Sequence, residues 1–280
     1  MPEGDTLARI ATVLRPVLRG KRIAAARGRP GGARLELVIG ATVDDVEARG
    51  KHLLIGFDNG LTLHTHLGMN GSWHRYRTDE RWRRPASRAV AVLTTADSTA
   101  VCFDAPTVEL LDTRALATHP VLKSLGGDIA TDDFDLDAAL IRLREPSRAA
   151  MAVGDALIDQ TALAGLGNVY RSELPFIERV NPLTLVAGVS DEKLRQMLER
   201  GAMLIRRNSA GGARVTTTAG SPTSTYVYGR AGRPCPRCAT PIVAQSTRAR
   251  PNSPPRRAYW CPGCQPGVPV PQNSTSQRST

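Results

Sequence analysis

Residues 235–264 read CPRCATPIVAQSTRARPNSPPRRAYWCPGC, and this stretch carries the sharpest structural signal in the chain. Cys235, Cys238, Cys261 and Cys264 form the pattern C-x2-C-x22-C-x2-C. A Cys-x2-Cys pair presents two thiolates from one tight turn, and two such knuckles complete a closed, tetrahedral zinc site. The spacing predicts one structural Zn2+ holding a small zinc-finger β-hairpin, which has too little core to fold unaided. A disulfide framework is a weak alternative, because the opening MPEGDTLARI lacks the basic-then-apolar order of a secretory signal. A cytoplasmic address is therefore expected. The fifth cysteine, Cys102 in AVCFD, reads as a small buried hydrophobe.

The charge around the finger is one-sided. Lys plus Arg total 37 and Asp plus Glu 26, a net of +11, and only four of the basic residues are lysines: Lys21, Lys51, Lys123 and Lys193. Residues 1–150 are nearly neutral at +2, whereas residues 151–280 carry +9. After Glu199 no acidic residue follows, while twelve arginines do. Such a segment suggests a polyanionic partner, most often nucleic acid. A coding bias towards Arg, or a solvated tail, is the competing explanation. Nothing approaches the ~18 apolar residues needed to cross a bilayer. The 280 residues leave room for two or three domains, with aliphatic cores because aromatics are only 4%.

Upstream of the finger the pattern changes twice. Leu7, Ile10, Leu14 and Val17/Leu18 predict a helix over 4–19, shortened by Pro16 and ended by Gly20. Short runs follow: RLELVI, HLLIGF, LTLHTHL, RAVAVLT and TAVCF, separated by turns such as Asp58-Asn59-Gly60. They predict a β-sandwich or barrel ending near Ala117. THPVLKSLGGDIATDD reads as a linking loop. Helical patterning then occupies FDLDAALIRLRE, DALIDQTALAGLGNVYRSELPFIERV (interrupted by Gly165 and Gly167) and SDEKLRQMLERGAMLIRR, the last opened by Ser190 as N-cap. Asn208–Ser221 reads as loop, and QPGVPVPQNSTSQRST as a disordered tail.

Several residues have chemistry that this frame does not use. Once the initiator Met is removed, Pro2 presents a secondary amine, neutral in useful fraction because an α-amine has a pKa near ~8. Attack on an aldehyde-like carbon gives an iminium, an electron sink for covalent catalysis. Glu3 stands beside it as a proton carrier. Lys51 leads into the apolar run HLLIGF, where a lysine usually snorkels. His64 and His66 alternate onto one strand face, suggesting a metal or, more often, packing. Met69 sits in the Gly-flanked turn LGMNG, as a wedge or a loop anchor. Gly165-Leu166-Gly167-Asn168 before a helix lets backbone N–H groups approach an anion, or simply makes a turn.

Taken together, PEGDT, GKHLL, HTHLGMNGSW, DQTALAGLGNVYRSE and VYGRAGRPCPRC…YWCPGCQ resemble the bacterial formamidopyrimidine-DNA glycosylase/endonuclease VIII family, nearly to Gln265. The resemblance implies an α+β multi-domain fold: an N-terminal β-sandwich with flanking helices over 1–118, a linker over 119–134, a helix–two-turn–helix domain over 135–225, a zinc finger over 226–265 and a tail over 266–280. It implies a bifunctional DNA glycosylase/AP lyase of base-excision repair. Pro2 would be the nucleophile at C1′ and Glu3 the neighbouring acid/base. Lys51 would serve β-elimination and phosphate contact. Arg256, five residues before Cys261, would be the finger residue assisting δ-elimination, with Arg257 adjacent. Asn168 would bind phosphate, Met69 would fill the gap left by the flipped nucleotide, and the four cysteines would hold zinc. Double- or single-stranded damaged DNA would be the partner of a monomer in the nucleoid.

The chain departs from the family at Thr6, where a Glu is common, at Thr161 and at Ser124, and its finger spacing of 22 is long. PEGDT resembles the endonuclease VIII branch, which implies oxidised pyrimidines, and HLGMNG resembles the oxidised-purine branch; pyrimidines are favoured. A non-catalytic damaged-DNA binder of the same fold is the alternative class. A zinc-ribbon module would leave PE and GKHLL unexplained.

Overall fold

The computed structural model describes residues 2–247 and 255–267. Removal of the initiator Met, most of the finger tip and the proposed disordered tail beyond residue 267 lie outside them. The chain forms two compact units. The first holds residues through Phe134 with Leu163–Gly165 and Ile205–Ala213; the second holds Asp135–Ala162, Leu166–Leu204 and the described residues from Arg214 on.

In the first unit, helix α1 (Gly4–Leu18) precedes eight strands: β1 (Ala25–Gly28), β2 (Val43–Arg49), β3 (His52–Phe57), β4 (Leu61–His66), β5 (Ser72–Arg77), β6 (Ala89–Thr94), β7 (Ser98–Phe103) and β8 (Thr107–Asp112). They make two four-stranded sheets, β1-β6-β7-β5 and β2-β3-β4-β8, packed as a sandwich. Leu7, Leu14 and Leu18 of α1 join Leu53, Ile55, Leu63, Ala91, Leu93 and Cys102 in one buried core. Truncating one such leucine typically costs about 2–5 kcal/mol. Short helices α2 (Thr113–Thr118) and α3 (Pro120–Ser124) follow, then β9 (Gly127–Asp128), which pairs in parallel with β10 (Leu163–Ala164).

The expected strand RLELVI is instead a 3-10 turn over Leu35–Val38. Leu35 and Val38 are both fully buried, and a strand would send residues three apart to opposite faces. Strand β2 escapes the period-2 pattern for a related reason. A register shift at Val43/Asp45 lets Val43 and Val46 share the core. The expected linking loop contains α3 and β9, with the His119 ring accepting the Leu122 N–H at 3.2 Å to cap α3.

The second unit contains α4 (Leu136–Leu143), α5 (Val153–Ala156), α6 (Asn168–Ile177) and α7 (Asp191–Ser209) as far as Leu204, the rest of α7 being counted with the first unit. Ser190 Oγ accepts the Lys193 N–H at 3.3 Å, the expected cap. The helical patterning over 155–180 is realised only in part: residues 157–167 form turns and β10, because Gly165 takes φ +105°. Strands β11 (Val243–Thr247) and β12 (Arg256–Trp260) form the antiparallel finger hairpin.

Candidate active site

The first unit gathers its reactive residues around Leu163–Gly165. Glu3 is the N-cap of α1 and fully buried, while Pro2 ahead of it is half-buried. The Gly4 N–H donates to the Gly165 carbonyl at 2.8 Å. The approach is so close that a Cβ on Gly4 would lie 2.9 Å from the Gly165 Cα. Only glycine at position 4 permits it. Thr6 completes a capping box with Glu3, since the Glu3 N–H donates to Thr6 Oγ1 at 3.4 Å.

The turn before Lys51 reaches the same segment. A Cβ on Gly50 would sit 2.9 Å from the Ala164 Cβ. The Gly50 N–H donates to Asp128 Oδ2 at 2.6 Å, and Asp128 Oδ1 accepts from Ala130 N–H at 3.0 Å. Burial raises the Asp128 carboxyl above its ordinary value, against the pull of these two N–H groups. Pro2–Glu3 and Lys51 are thus each one or two residues from a backbone contact with Ala164–Gly165. Met69 lies apart on its own turn, 68% exposed. The Gly71 N–H closes that turn on the Leu67 carbonyl at 2.8 Å, and a Cβ on Gly71 would stand 2.4 Å from the same oxygen.

The second unit builds a different cluster. Asn168 begins α6, and its Nδ2 donates to the Arg257 carbonyl at 3.2 Å. Arg171, fully buried, pairs with Asp155 at 2.6 Å and donates to Thr247 Oγ1. The Tyr259 N–H donates to Ser172 Oγ at 3.2 Å. These contacts lay the hairpin on α6. Thr247 and Arg256 are cross-strand partners and share a face, so Arg256 lies on the side of Arg171 and Asp155. Arg257 takes the opposite face.

The four cysteines bring their sulfurs within 4.8 Å of one another, with separations of 3.4, 3.4 and 3.9 Å for three of the pairs. Disulfides need about 2.05 Å. A tetrahedral site with metal–sulfur bonds of about 2.3 Å needs about 3.8 Å between sulfurs, so the cluster suits a metal ion.

Residues 1–118 match the family described as formamidopyrimidine-DNA glycosylase N-terminal domain, and residues 125–219 match the formamidopyrimidine-DNA glycosylase H2TH domain. The "Probable endonuclease 8 2" of Streptomyces coelicolor is 39% identical over 99% of each chain. The chain belongs to the formamidopyrimidine-DNA glycosylase/endonuclease VIII family. The "DNA-(apurinic or apyrimidinic site) lyase Nei2" of Mycolicibacterium smegmatis is 36% identical, covering 95% of this chain and 99% of its own. A solved Lactococcus lactis formamidopyrimidine-DNA glycosylase, bound non-covalently to AP-site DNA, shares the fold with TM-score 0.77 at 20% identity, covering 95% of this chain and all of its own. The family comprises DNA glycosylase/AP lyases of base-excision repair.

Two carboxylates that hold backbone N–H groups, one partly and one fully buried, were passed over in the sequence. Asp128 is one. The other is Glu173, fully buried in α6, which accepts the N–H groups of Tyr226, Val227 and Tyr228, each at 2.8 Å, and the Thr216 hydroxyl. Burial raises its carboxyl above the usual range, and these donors oppose the rise. Its only sequence mark is its place at the end of DQTALAGLGNVYRSE.

His64, Glu109 and His119 also bring three donor atoms within 4.8 Å. They suit a metal poorly. A metal on His119 Nε2 would leave the ring proton on Nδ1, where the Leu122 N–H already points.

Among the described residues no helix is long and apolar enough to cross a membrane.

Proposed function

We propose that this chain excises oxidised bases, pyrimidines in preference to purines, and then cuts the strand at the abasic site. The target nucleotide is extruded from the helix, because an amine cannot reach C1′ inside a duplex. The Pro2 nitrogen bonds to C1′ as the glycosidic bond breaks, and the base leaves with the bonding pair. Glu3 moves protons during opening of the sugar ring. Removal of the C2′ proton, served by Lys51, expels the 3′ phosphate, and Arg256 assists loss of the 5′ phosphate. Met69 fills the vacated stack, while Asn168 and Arg257 hold phosphates. Cys235, Cys238, Cys261 and Cys264 would hold one structural Zn2+, which supplies folding energy to the hairpin and takes no part in the chemistry. Residues 1–118 carry the catalysis, with 119–134 as linker, 135–225 and the finger over 226–265 serving DNA binding. The enzyme works as a cytoplasmic, nucleoid-bound monomer on damaged DNA.

The observation that carries this reading is the Gly4–Gly165 contact. It seats the first residues on the segment that Gly50 also reaches. An unremarkable N-terminus has no need of such a seat. Oxidised-purine preference is the second reading, favoured by the HLGMNG turn and its exposed Met69.

Incubation with abasic-site DNA and borohydride should trap a covalent adduct, mapped by peptide mass spectrometry to the Pro2 nitrogen. Binding without an adduct, or an adduct on another residue, would sink the mechanism and favour a non-catalytic binder. Release of thymine glycol faster than 8-oxoguanine would support the pyrimidine assignment; the reverse order would support purines.

A further inference from the structure

The finger is rich in arginine and has no acidic side chain, because none follows Glu199. Any carboxylate side chain that neutralises its arginines therefore lies earlier in the chain. Beside the hairpin that group is Asp155 of α5, 4% exposed. Asp155 Oδ1 pairs with Arg171 Nη2 at 2.6 Å, and Arg171 is fully buried. The Thr247 hydroxyl ties the pair to β11, accepting from Arg171 Nη2 and donating to Asp155 Oδ2 at 3.5 Å. Arg256 stands opposite Thr247 in the hairpin register.

Two guanidiniums thus face one carboxylate. Burial raises the Asp155 carboxyl above its ordinary value, while Arg171, the Thr247 hydroxyl and Arg256 pull it down. Burial also works against the charge on Arg171; Asp155 opposes that, and Arg256 adds to it as a like charge. Arg256 is near enough to act on both members of the pair. The surplus positive charge falls on Arg256, which is exposed, since Arg171 is sealed in.

Arg171 reaches the other proposed phosphate group as well. Its Nη1 donates to Asn168 Oδ1 at 3.4 Å, while Asn168 Nδ2 donates to the Arg257 carbonyl at 3.2 Å. The reverse amide orientation would set an NH2 against a guanidinium and an oxygen against a carbonyl oxygen. The amide is thereby held with an N–H, and not its oxygen, left for an anion. Packing alone does not call for this arrangement. Among the described residues Arg171 Nε is buried without a hydrogen-bond partner, and a buried ion pair is often no more stabilising than apolar residues of the same volume.

We infer that Asp155 is a positioning residue for the second elimination: it neutralises Arg171, so that Arg256 can rest over the pair and meet the departing 5′ phosphate. This rests on the proposed role of Arg256. In that step the C4′ proton passes to water, its bonding pair makes the C4′–C5′ double bond, and the C5′–O pair leaves on the phosphate. A guanidinium held against the phosphate oxygens stabilises the charge they gain. With Asp155 neutral, an uncompensated guanidinium would lie under Arg256 and repel it.

The test reads the ratio of δ- to β-elimination products from preformed abasic-site DNA, with enzyme in excess and in a single turnover. Asp155→Asn keeps the shape and removes the charge. It should lower the ratio about tenfold or more, while borohydride trapping at Pro2 keeps its wild-type rate. Asp155→Glu, which retains the charge, should recover most of the ratio. A merely structural role would reduce the folded fraction, lowering trapping and both products alike and leaving the ratio in place; an unchanged ratio would overturn the inference. Removing an acidic group also raises the net charge, which by itself favours DNA capture and cannot account for a loss. Arg256→Ala separates the two readings. If it lowers the ratio and Asp155→Asn does not, the role of Asp155 alone falls; if it leaves the ratio intact, the role of Arg256 falls and takes that of Asp155 with it. In the Arg256→Ala background Asp155→Asn should change the ratio no further. A second fall of the same size there would show that Asp155 does not act through Arg256 and would overturn the proposal.

Discussion

Glu173 accepts three consecutive backbone N–H groups with one buried carboxylate. The residue thereby fixes the path of Tyr226–Tyr228 from inside α6. Glu173→Gln keeps the size but offers one acceptor oxygen and turns an NH2 towards the donors. It should destabilise the protein by about 2–4 kcal/mol, a fall on the order of 10 °C in Tm. A calorimetric scan unchanged within 2 °C would refute this. Such residues were illegible in the sequence because a carboxylate among charged neighbours looks like surface. By contrast Pro2, Lys51 and the four cysteines were conspicuous, since an N-terminal amine, a rare lysine and a paired-thiol spacing each have few alternative uses. Arg256 and Arg257 look alike by spacing, and strand alternation puts them on opposite faces of the hairpin.

The β3–β4–β8 sheet shows the same division among elements. Its strands were readable from HLLIGF and LTLHTHL, and the Asp58-Asn59-Gly60 turn was visible between them. β8 was missed, because TVELLD buries none of its residues fully and so lacks a clean alternation. Without β8 the partner of His64 could not be seen. The sheet's buried histidines have a thermodynamic sign. Their folded pKa values lie below the unfolded value of 6.5, so the unfolded chain binds more protons as acid is added. The neutral rings' contribution is complete above about pH 6.5 and is lost as pH falls towards about 3. His52 alone should remove about 3 kcal/mol between pH 7 and pH 4. His52→Leu should flatten the curve of Tm against pH over that range; a variant with the wild-type slope would contradict the assignment.

Across the whole molecule, the two units place different demands on stability. The first has an aliphatic core shared by α1 and both sheets. Among the described residues the finger gathers Val227, Ile242, Cys235 and Cys261 around Phe176, with aromatic cover from Tyr226 and Tyr259, and buries Ala258 and Trp260 of β12. That core is too small to hold a hairpin alone. Chelation, or Cys261→Ser, should therefore weaken DNA binding at least about tenfold while amide exchange of β3 and β4 stays protected. Equal loss of protection in both units would show that the metal supports more than the finger. The division into units was only half legible. The composition break after Glu199 marked the basic half, but nothing local in LAGLG shows that Leu163–Gly165 belongs with Gly127, Gly50 and Gly4, which lie 36, 114 and 161 positions earlier.

That return of Leu163–Gly165 imposes an order on synthesis. The Gly4–Gly165 hydrogen bond cannot form until residue 165 has left the ribosome. At 5–20 residues per second the nascent amino end waits on the order of ten seconds for its seat. During that interval the amino end stands clear of its seat, so the proposed trimming of the first residue would precede docking.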